Sequence, residues 1–293
     1  MIKTDITGIG DPYVLLVDGQ YYLYATSASD GFKFFVSENL TDWREGGYCL
    51  KDHPWGECDF WAPEVYQRGG KFYMIYTARW KKNHSLRLGV AVADRPEGPF
   101  IDVKGEPLFD YGYATIDATL FTDENGEDYF YFVRDCSENV INGVHTSVIY
   151  CSKINKELTE LIGEPVEISK PDQQWELEKD PAWQWNEGPI VLKRNGRYYL
   201  NYSANCYASR FYSIGCSEGD NPFGPFKKYS APILEYKEGE YSGPGHNMIF
   251  EGKDGNLYTA FHVHTNYEEP SGDRRVCITE VRFDKQGKMI IEP

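Results

Sequence analysis

The 293-residue sequence contains no segment of the kind that carries a chain to or across a membrane. No apolar run reaches the roughly 18 residues that a membrane span needs. The N-terminal stretch at 1–19 lacks the basic region and the following apolar region of a signal peptide. With Met1 as the native start, these absences predict a cytoplasmic protein that does not act at a membrane.

Several catalytic and structural motifs are also absent. The seven cysteines are scattered, and no Cys-x-x-Cys pair occurs, which argues against a disulfide framework and a zinc site. The sequence has no Gly-x-Ser-x-Gly turn, no Walker phosphate-binding loop and no His-Glu-x-x-His helix. Serine-hydrolase, nucleotide-hydrolase and zinc-protease chemistry are therefore not indicated.

Positive charge is scarce, whereas aromatic residues are abundant. Thirty Lys and Arg face 45 Asp and Glu, for a formal net charge of −15, and a field of that sign repels nucleic acids and anionic membranes. Aromatic residues make up 16% of the chain, including 23 Tyr and 7 Trp. Tyr and Trp join apolar area to a polar tip, which suits packed strands and also contact with the C–H faces of sugar rings.

One strand pattern recurs five times, and no helical periodicity of useful length is visible. Each copy has an apolar run, a Gly-containing turn and an aromatic-rich run, as in PYVLLVDGQYYLYATS at 12–27. Asp-Gly, Asn-Gly and Gly-Gly between such runs predict antiparallel hairpins, because tight hairpin turns need positive φ. The hairpins are predicted at 12–27, 63–78, 118–133, 189–204 and 247–262.

Further strands follow each hairpin, so that each repeat holds about four. The turn glycines are 51, 56, 70 and 59 residues apart, a spacing typical of propeller blades. A β-sandwich of hairpins is the alternative, but it does not explain the even spacing. We therefore predict an all-β fold, a five-bladed β-propeller in a single domain over 1–293. The approximate blades are 8–58, 59–112, 113–183, 184–240 and 241–293.

Ionisable side chains precede four of the five inner strands, whose starts converge at one mouth of a propeller channel. They are Asp11 in GDP, Asp117 in TIDA, Glu187 in NEGP and His246 in GPGH. A single acid at such a position is more often a turn cap, but carboxylates beside apolar strands are costly unless they are paired or functional. Their repetition predicts a site. Glu64, inside the second inner strand, is interpreted as structural.

A cluster of carboxyl groups suits the hydrolysis of a glycosidic bond. One acid must stay protonated to donate a proton to the leaving oxygen, and another must be ionised to activate water. A third carboxylate nearby raises the pKa of the acid through like-charge repulsion. The cysteines do not precede inner strands, which argues against a thiol nucleophile.

The motifs, taken in order, resemble glycoside hydrolase family 43 over nearly the whole chain. The resemblance implies that Asp11 in GDPYVLLVDG is the general base and that Glu187 in NEGPIVL is the general acid. It implies that Asp117 in IDATLF orients the acid and tunes its pKa, although Ala118 replaces the usual Pro. Such enzymes invert the anomeric centre.

The same resemblance implies three residues that contact the substrate. Trp61 in DFWAPEV lines the sugar pocket, and Arg274 in RRVCITEVRFD reaches it, with Arg275 as the alternative. His246 stands where family members hold a water or a calcium ion. The sequence shows no oxygen-rich cage for calcium, so we expect no required cofactor and at most an accessory ion in the channel.

The expected function is release of pentose, foremost α-L-arabinofuranosyl, from oligosaccharides derived from plant polysaccharides. Many β-xylosidases of the family append a C-terminal β-sandwich, and this sequence ends with the fifth blade, which places β-xylosidase second. The alternatives are an endo-arabinanase or endo-xylanase, a fructan-type hydrolase, a glycoside phosphorylase and a non-catalytic carbohydrate-binding propeller. The fructan type normally opens with Asn-Asp-Pro-Asn-Gly, and a phosphorylase needs a basic cluster. The sequence carries no signal for oligomeric state.

Overall fold

Strands dominate the computed structural model, which describes residues 1–177 and 180–293. One short helix, α1, spans Gln174–Leu177. In chain order, the strands are β1 (Ile2–Thr7), β2 (Gly10–Val17), β3 (Gln20–Thr26), β4 (Phe32–Ser37), β5 (Arg44–Leu50), β6 (Gly56–Arg68), β7 (Lys71–Trp80), β8 (Leu86–Ala93), β9 (Ile101–Asp102), β10 (Thr115–Thr122), β11 (Asp128–Arg134), β12 (Val140–Ile141), β13 (Val144–Thr146), β14 (Val148–Ile154), β15 (Leu161–Ser169), β16 (Trp183–Gln184), β17 (Asn186–Arg194), β18 (Arg197–Ala204), β19 (Ser213–Gly219), β20 (Lys227–Lys228), β21 (Gly245–Glu251), β22 (Leu257–His264), β23 (Arg274–Phe283) and β24 (Met289–Ile291).

These strands form five antiparallel blades, which confirms the predicted five-bladed β-propeller. Blade one is β2–β5, blade two β6–β9, blade three β10, β11, β14 and β15, and blade four β17–β20. Blade five is β21, β22 and β23 with β1, and β24 also pairs with β23. The innermost two strands of each blade are the five predicted hairpins. Within the described residues, no helix has the length and apolar character of a membrane span.

The fourth strand of blade five comes from the N-terminal end of the sequence. β1 pairs antiparallel with β23, with Lys3 opposite Cys277. The predicted fifth blade at 241–293 therefore receives its outer strand from residues 2–7, which precede the predicted first blade. The first and last blades are joined by backbone hydrogen bonds across this seam.

Aromatic side chains fill the interfaces between neighbouring blades. Phe32 of blade one meets Phe60 and Tyr76 of blade two edge to face, at centroid distances of 5.7 and 5.8 Å. Phe121 of blade three meets Tyr198 of blade four in the same way at 5.7 Å. This geometry is the one that aromatic quadrupoles favour, so most of the aromatic excess belongs to the core.

Each innermost strand carries a β-bulge near its start, and the bulged residue has positive φ. The pairing register shifts across these positions, which are Asp11 (φ 55°), Ala62 (45°), Asp117 (51°), Gly188 (53°) and His246 (49°). A bulge re-aims a side chain relative to the regular strand. Five equivalent bulges thus surround one mouth of the central channel.

A small three-stranded sheet lies outside the blades. β12 pairs antiparallel with β13, and β13 pairs in parallel with β16, with His145 opposite Trp183. This sheet connects the segment after β11 to the segment that leads into β17. It therefore stands beside the entrance of the fourth inner strand.

Candidate active site

A cavity of about 480 Å³ opens at the mouth where the bulges meet, and residues from all five blades line it. The six residues predicted to form the site all line this cavity: Asp11, Trp61, Asp117, Glu187, His246 and Arg274. Inner strands of neighbouring blades start beside one another, so residues far apart in sequence become neighbours here.

Most of the bulges are tied to the preceding blade by one recurring hydrogen bond. The backbone amide of the bulged residue donates to a side chain on the second strand of the preceding blade. Within that preceding blade, the accepting residue pairs with the residue that comes just before the bulge. The pairs are Ala62 to Thr26 Oγ1 (2.9 Å), Asp117 to Thr77 Oγ1 (3.1 Å), His246 to Ser203 Oγ (2.7 Å) and Asp11 to His262 Nδ1 (3.2 Å).

The contact between blades three and four departs from this pattern. The equivalent position on β11 is Val133, paired with Ile116, and a valine side chain cannot accept a hydrogen bond. The amide of Gly188 donates instead to Asp117 Oδ2 at 3.1 Å. Gly188 is next to Glu187, so this bond fixes Asp117 beside the segment that carries Glu187.

Asp11 is held as a carboxylate by cationic and hydroxyl partners. Arg274 Nη1 donates to Asp11 Oδ1 at 2.8 Å, and Thr26 Oγ1 donates to Oδ2 at 2.5 Å. Burial alone would raise the pKa of Asp11, but Arg274, followed by His246, His262 and the Thr26 hydroxyl, brings that pKa well below its ordinary value. Asp11 is therefore ionised across the working pH range of an enzyme.

Glu187 has the opposite electrostatic character. Burial, and then the charge of Asp117, raises the pKa of Glu187 well above its ordinary value, against the lowering effect of the hydrogen bond that Tyr212 Oη donates to Oε1 at 2.9 Å. Burial also raises the pKa of Asp117 to about 6; His246 lowers this pKa and Asp11 raises it. Glu187 therefore keeps its proton to a higher pH than Asp11 does.

His246 lies between the two aspartates. Its Nδ1 is 3.3 Å from Asp11 Oδ1 and 3.8 Å from Asp117 Oδ2. Gly188 packs against the imidazole, since a Cβ at that position would lie 3.1 Å from the ring. Among the described residues, no group of three or more His, Cys, Asp or Glu side chains is arranged to hold a metal ion. An accessory ion near His246 therefore stays a prediction, and no reaction step is assigned to a metal.

The structure distinguishes between the two candidate arginines. Arg274 pairs with His264 at the start of β23, is 9% exposed and lines the cavity. Arg275 occupies the next position, where strand geometry sends the side chain to the other face. Gly10 explains part of the GDP motif, because a Cβ there would come within 2.0 Å of the Arg274 guanidinium. Trp61 forms another wall, with Arg79 and Leu86.

Sequence reasoning missed several residues that line the cavity. Asp135, 7% exposed, directly follows β11, and its charge raises the pKa of both Glu187 and Asp117. Tyr212 immediately precedes β19, and Trp185 immediately precedes β17. Trp185 had a usable signal, since it stands two residues before Glu187. Asp135 had none, because second strands carry no repeated acidic motif.

Comparison with known families and structures places the chain among carbohydrate-active enzymes. The family model for "Glycosyl hydrolases family 43" matches residues 7–289. A crystal structure of a thermostable family-43 glycoside hydrolase superposes with a TM-score of 0.96 at 47% identity, covering 100% of this chain and 96% of that one. A structure titled endo-1,4-beta-xylanase from Bacteroides thetaiotaomicron superposes with a TM-score of 0.86 at 34% identity, covering 100% and 97%.

Relatives with assigned activities carry three different sugar names. A beta-D-galactofuranosidase of Aspergillus niger is 27% identical over 96% of this chain and 81% of its own length. A beta-xylosidase of Xylanibacter ruminicola is 27% identical, covering 95% of both chains. An extracellular exo-alpha-(1->5)-L-arabinofuranosidase of Streptomyces chartreusis is 28% identical over 90% of this chain and 82% of its own.

Proposed function

Because the chain belongs to glycoside hydrolase family 43, we propose that it hydrolyses pentosides with inversion at the anomeric carbon. The single observation that carries this proposal is the opposed electrostatics of Asp11 and Glu187 in one cavity. The pKa of the first carboxyl is lowered by Arg274, and that of the second is raised by burial and Asp117. An acid and a base of this kind are what glycoside hydrolysis requires.

In the proposed reaction, Asp11 takes a proton from a water molecule on one face of the sugar. The water oxygen attacks the anomeric carbon, and the glycosidic bond breaks. Glu187 gives its proton to the leaving oxygen on the other side. Inversion needs the two carboxyl groups about 6.5–9.5 Å apart, to admit the water. Asp117 touches neither reacting atom; it is a positioning residue that keeps Glu187 protonated.

The arginine side chains that line the cavity favour hydrolysis over phosphorolysis. Arg274 is paired with Asp11, and Arg79 Nε donates to Asp59 Oδ2 at 2.6 Å. Both arginines that line the cavity are thus neutralised by carboxylates of the protein. A phosphate co-substrate needs uncommitted positive charge, which these two residues do not offer.

The sugar proposed first is α-L-arabinofuranose, as predicted from the sequence, and β-D-xylose is the second candidate. Chain length does not separate them, because this chain covers 95% of the beta-xylosidase relative. The xylanase-titled structure, at 34% identity, adds support for a xylose-containing substrate. With either sugar, the proposed substrates are oligosaccharides from plant cell walls.

The test is hydrolysis of p-nitrophenyl α-L-arabinofuranoside, β-D-xyloside and β-D-galactofuranoside, with Glu187→Gln as the control. Turnover of either pentoside, lost in the control, is expected, and proton NMR of the first-formed sugar should show inversion. Preference for the galactofuranoside would contradict the pentose assignment. Turnover of none, with retained binding of xylan or arabinan fragments, would contradict release of single pentoses and favour an endo-enzyme or a binding propeller.

A further inference from the structure

Three aromatic rings stack in sequence, beginning at a residue that lines the cavity. Trp185 lines the cavity with Glu187. The rings of Trp183 and Trp185 are 6.4 Å apart with an interplanar angle of 19°, and the ring of His145 lies 3.9 Å from that of Trp183 at 10°. We call His145, Trp183 and Trp185 the aromatic row.

The aromatic row belongs to a hydrogen-bonded scaffold. The small sheet places His145 opposite Trp183, where the His145 amide donates to Ala182 O at 2.9 Å and the Ser147 amide to Gln184 O at 2.9 Å. The His145 ring is anchored through Nδ1, 2.8 Å from Cys136 O. The rings are therefore held in place before any ligand arrives, which lowers the entropic cost of binding.

One member of the aromatic row, Trp183, is open to solvent, and the other two are half-buried. Trp183 is 36% exposed, which is high for the largest apolar side chain, and the tip of the same sheet exposes Val140 to 55%. Core packing does not account for a tryptophan in this position. An exposed aromatic surface next to a ligand cavity is typical of a binding surface.

The row has a direction relative to the proposed reaction. Trp183, Trp185 and Glu187 occupy alternate positions of one extended segment, so that each step covers about 6.6 Å on one side of the chain. Glu187 donates its proton to the leaving oxygen and therefore stands beside the leaving group. With Glu187 in that role, the rings reached through Trp185 are expected on the leaving-group side of the scissile bond.

We propose that the aromatic row binds the sugar units of the leaving group and that Trp183 contacts a unit beyond the first. This inference rests on the proposed function, because Glu187 as the general acid sets the direction. The ligand class is a neutral pentose oligosaccharide, whose C–H faces pack on flat rings. The protein should then favour substrates with two or more sugars on the leaving side over a monosaccharide with a small aglycone.

Binding measured in the Glu187→Gln background tests the proposal without relying on turnover. Isothermal titration with xylobiose, xylotetraose and the corresponding α-1,5-arabino-oligosaccharides gives Kd against chain length. Trp183→Ala should raise the Kd for the preferred tetrasaccharide about tenfold, with a smaller effect on the disaccharide. Trp183→Phe, which keeps a flat ring, should restore most of the affinity.

Two further variants keep the result interpretable. Trp183→Leu fills much of the space against His145 but has no flat face, so it should show the same rise in Kd as a folded alanine variant. It keeps the test informative if the alanine variant unfolds. Tyr48→Ala removes an aromatic that is 40% exposed on β5, an outer strand of blade one, and should leave affinity unchanged. Equal Kd values for wild type and Trp183→Leu on the tetrasaccharide would overturn the proposal.

Aryl-glycoside assays separate this inference from the proposed function. Turnover of p-nitrophenyl pentosides, without any dependence of the oligosaccharide Kd on Trp183, would overturn the role of the aromatic row and leave the hydrolase assignment standing. Trp183-dependent tetrasaccharide binding, without turnover of any glycoside by the unsubstituted protein, would support the row as a sugar-binding surface and contradict the hydrolase assignment.

Discussion

The amide of Gly188 donates a hydrogen bond to Oδ2 of Asp117 at 3.1 Å. At the other four contacts between blades, the bulge amide donates to a side chain of the preceding blade, namely Thr26, Thr77, Ser203 or His262. The corresponding residue here is Val133, whose side chain has no acceptor. A hydrogen bond from this amide to an uncharged acceptor would only connect the two blades. Here the bond also keeps the carboxylate of Asp117 next to Glu187. This break in the structural repeat thus places Asp117 where its charge raises the pKa of Glu187.

Replacing Asp117 should shift the basic limb of the pH profile to lower pH. The charge of Asp117 raises the pKa of Glu187, so Asp117→Asn, which still accepts from Gly188, should lower that pKa. Glu187 then loses its proton at lower pH. The measurement is kcat/KM from pH 4 to 10 on one aryl glycoside.

Two variants serve as controls for this shift. Asp135→Asn removes a weaker contribution of the same sign and should give a smaller downward shift. Tyr212→Phe removes a hydrogen bond that lowers the pKa of Glu187, so its basic limb should move upward. If all three variants shift the limb equally, the limb does not report the ionisation of Glu187.

Substrates with better leaving groups should partly rescue the loss of the general acid. Glu187→Ala cannot protonate the leaving oxygen, a step that matters most for poor leaving groups. We expect a loss of about 10²–10⁴-fold on an oligosaccharide and a much smaller loss on a dinitrophenyl glycoside. Steady-state rates on a series of aryl glycosides provide the comparison. Equal losses on every substrate would contradict the acid role.

Arg274 should set the acidic limb through Asp11. Burial raises the pKa of Asp11 and Arg274 opposes it, so Arg274→Gln should raise that pKa and move the acidic limb of kcat/KM upward. The loss of activity should therefore be greater at pH 5 than at pH 7. The matched control is Arg275→Gln, at the adjacent position of β23, where the profile should stay in place. The same shift of the acidic limb in Arg274→Gln and Arg275→Gln would contradict this assignment.

Glu64 should make the fold less stable at high pH. Tyr66 Oη donates to Glu64, and desolvation, opposed by the hydrogen bonds of Tyr66 and Thr119, raises the pKa of Glu64 to about 8. Below the unfolded pKa, near 4.5, both states hold the proton. Between that value and about 8 only the folded state does, so stability falls as pH rises. Glu64→Gln should raise Tm at pH 9 and change it little at pH 4, as differential scanning calorimetry can show.

The features that the sequence predicted are local and repeated. Turn glycines such as Gly19 and Gly70 mark hairpins because only a few residues tolerate their φ, and each hairpin entrance then locates a bulge. Asp11, Asp117 and His246 all occupy the bulge itself, whereas Glu187 stands one residue earlier, at the position of Gly10 in blade one. That offset depends on pairing register, which short motifs do not specify.

The features that the sequence did not reveal depend on contacts between distant segments. Asp135 reaches the cavity from the end of a second strand, and Tyr212 reaches it from the start of a third strand. The pairing of His145 with Trp183 joins residues separated by the two outer strands of blade three, β14 and β15, and by α1. None of these has a periodic signal, because each occurs once in the ring.

The seam between the first and last blades has a consequence for the timing of synthesis. β1 at 2–7 finds its partner only when β23 at 274–283 has been made, some 270 residues later. At about 5–20 residues per second, that interval is roughly 15–50 s on the ribosome. Asp11 and Arg274 lie on opposite sides of the same seam, so for most of that time a nascent chain lacks the ion pair between its proposed catalytic base and this arginine. We therefore expect the proposed activity only after the ring has closed.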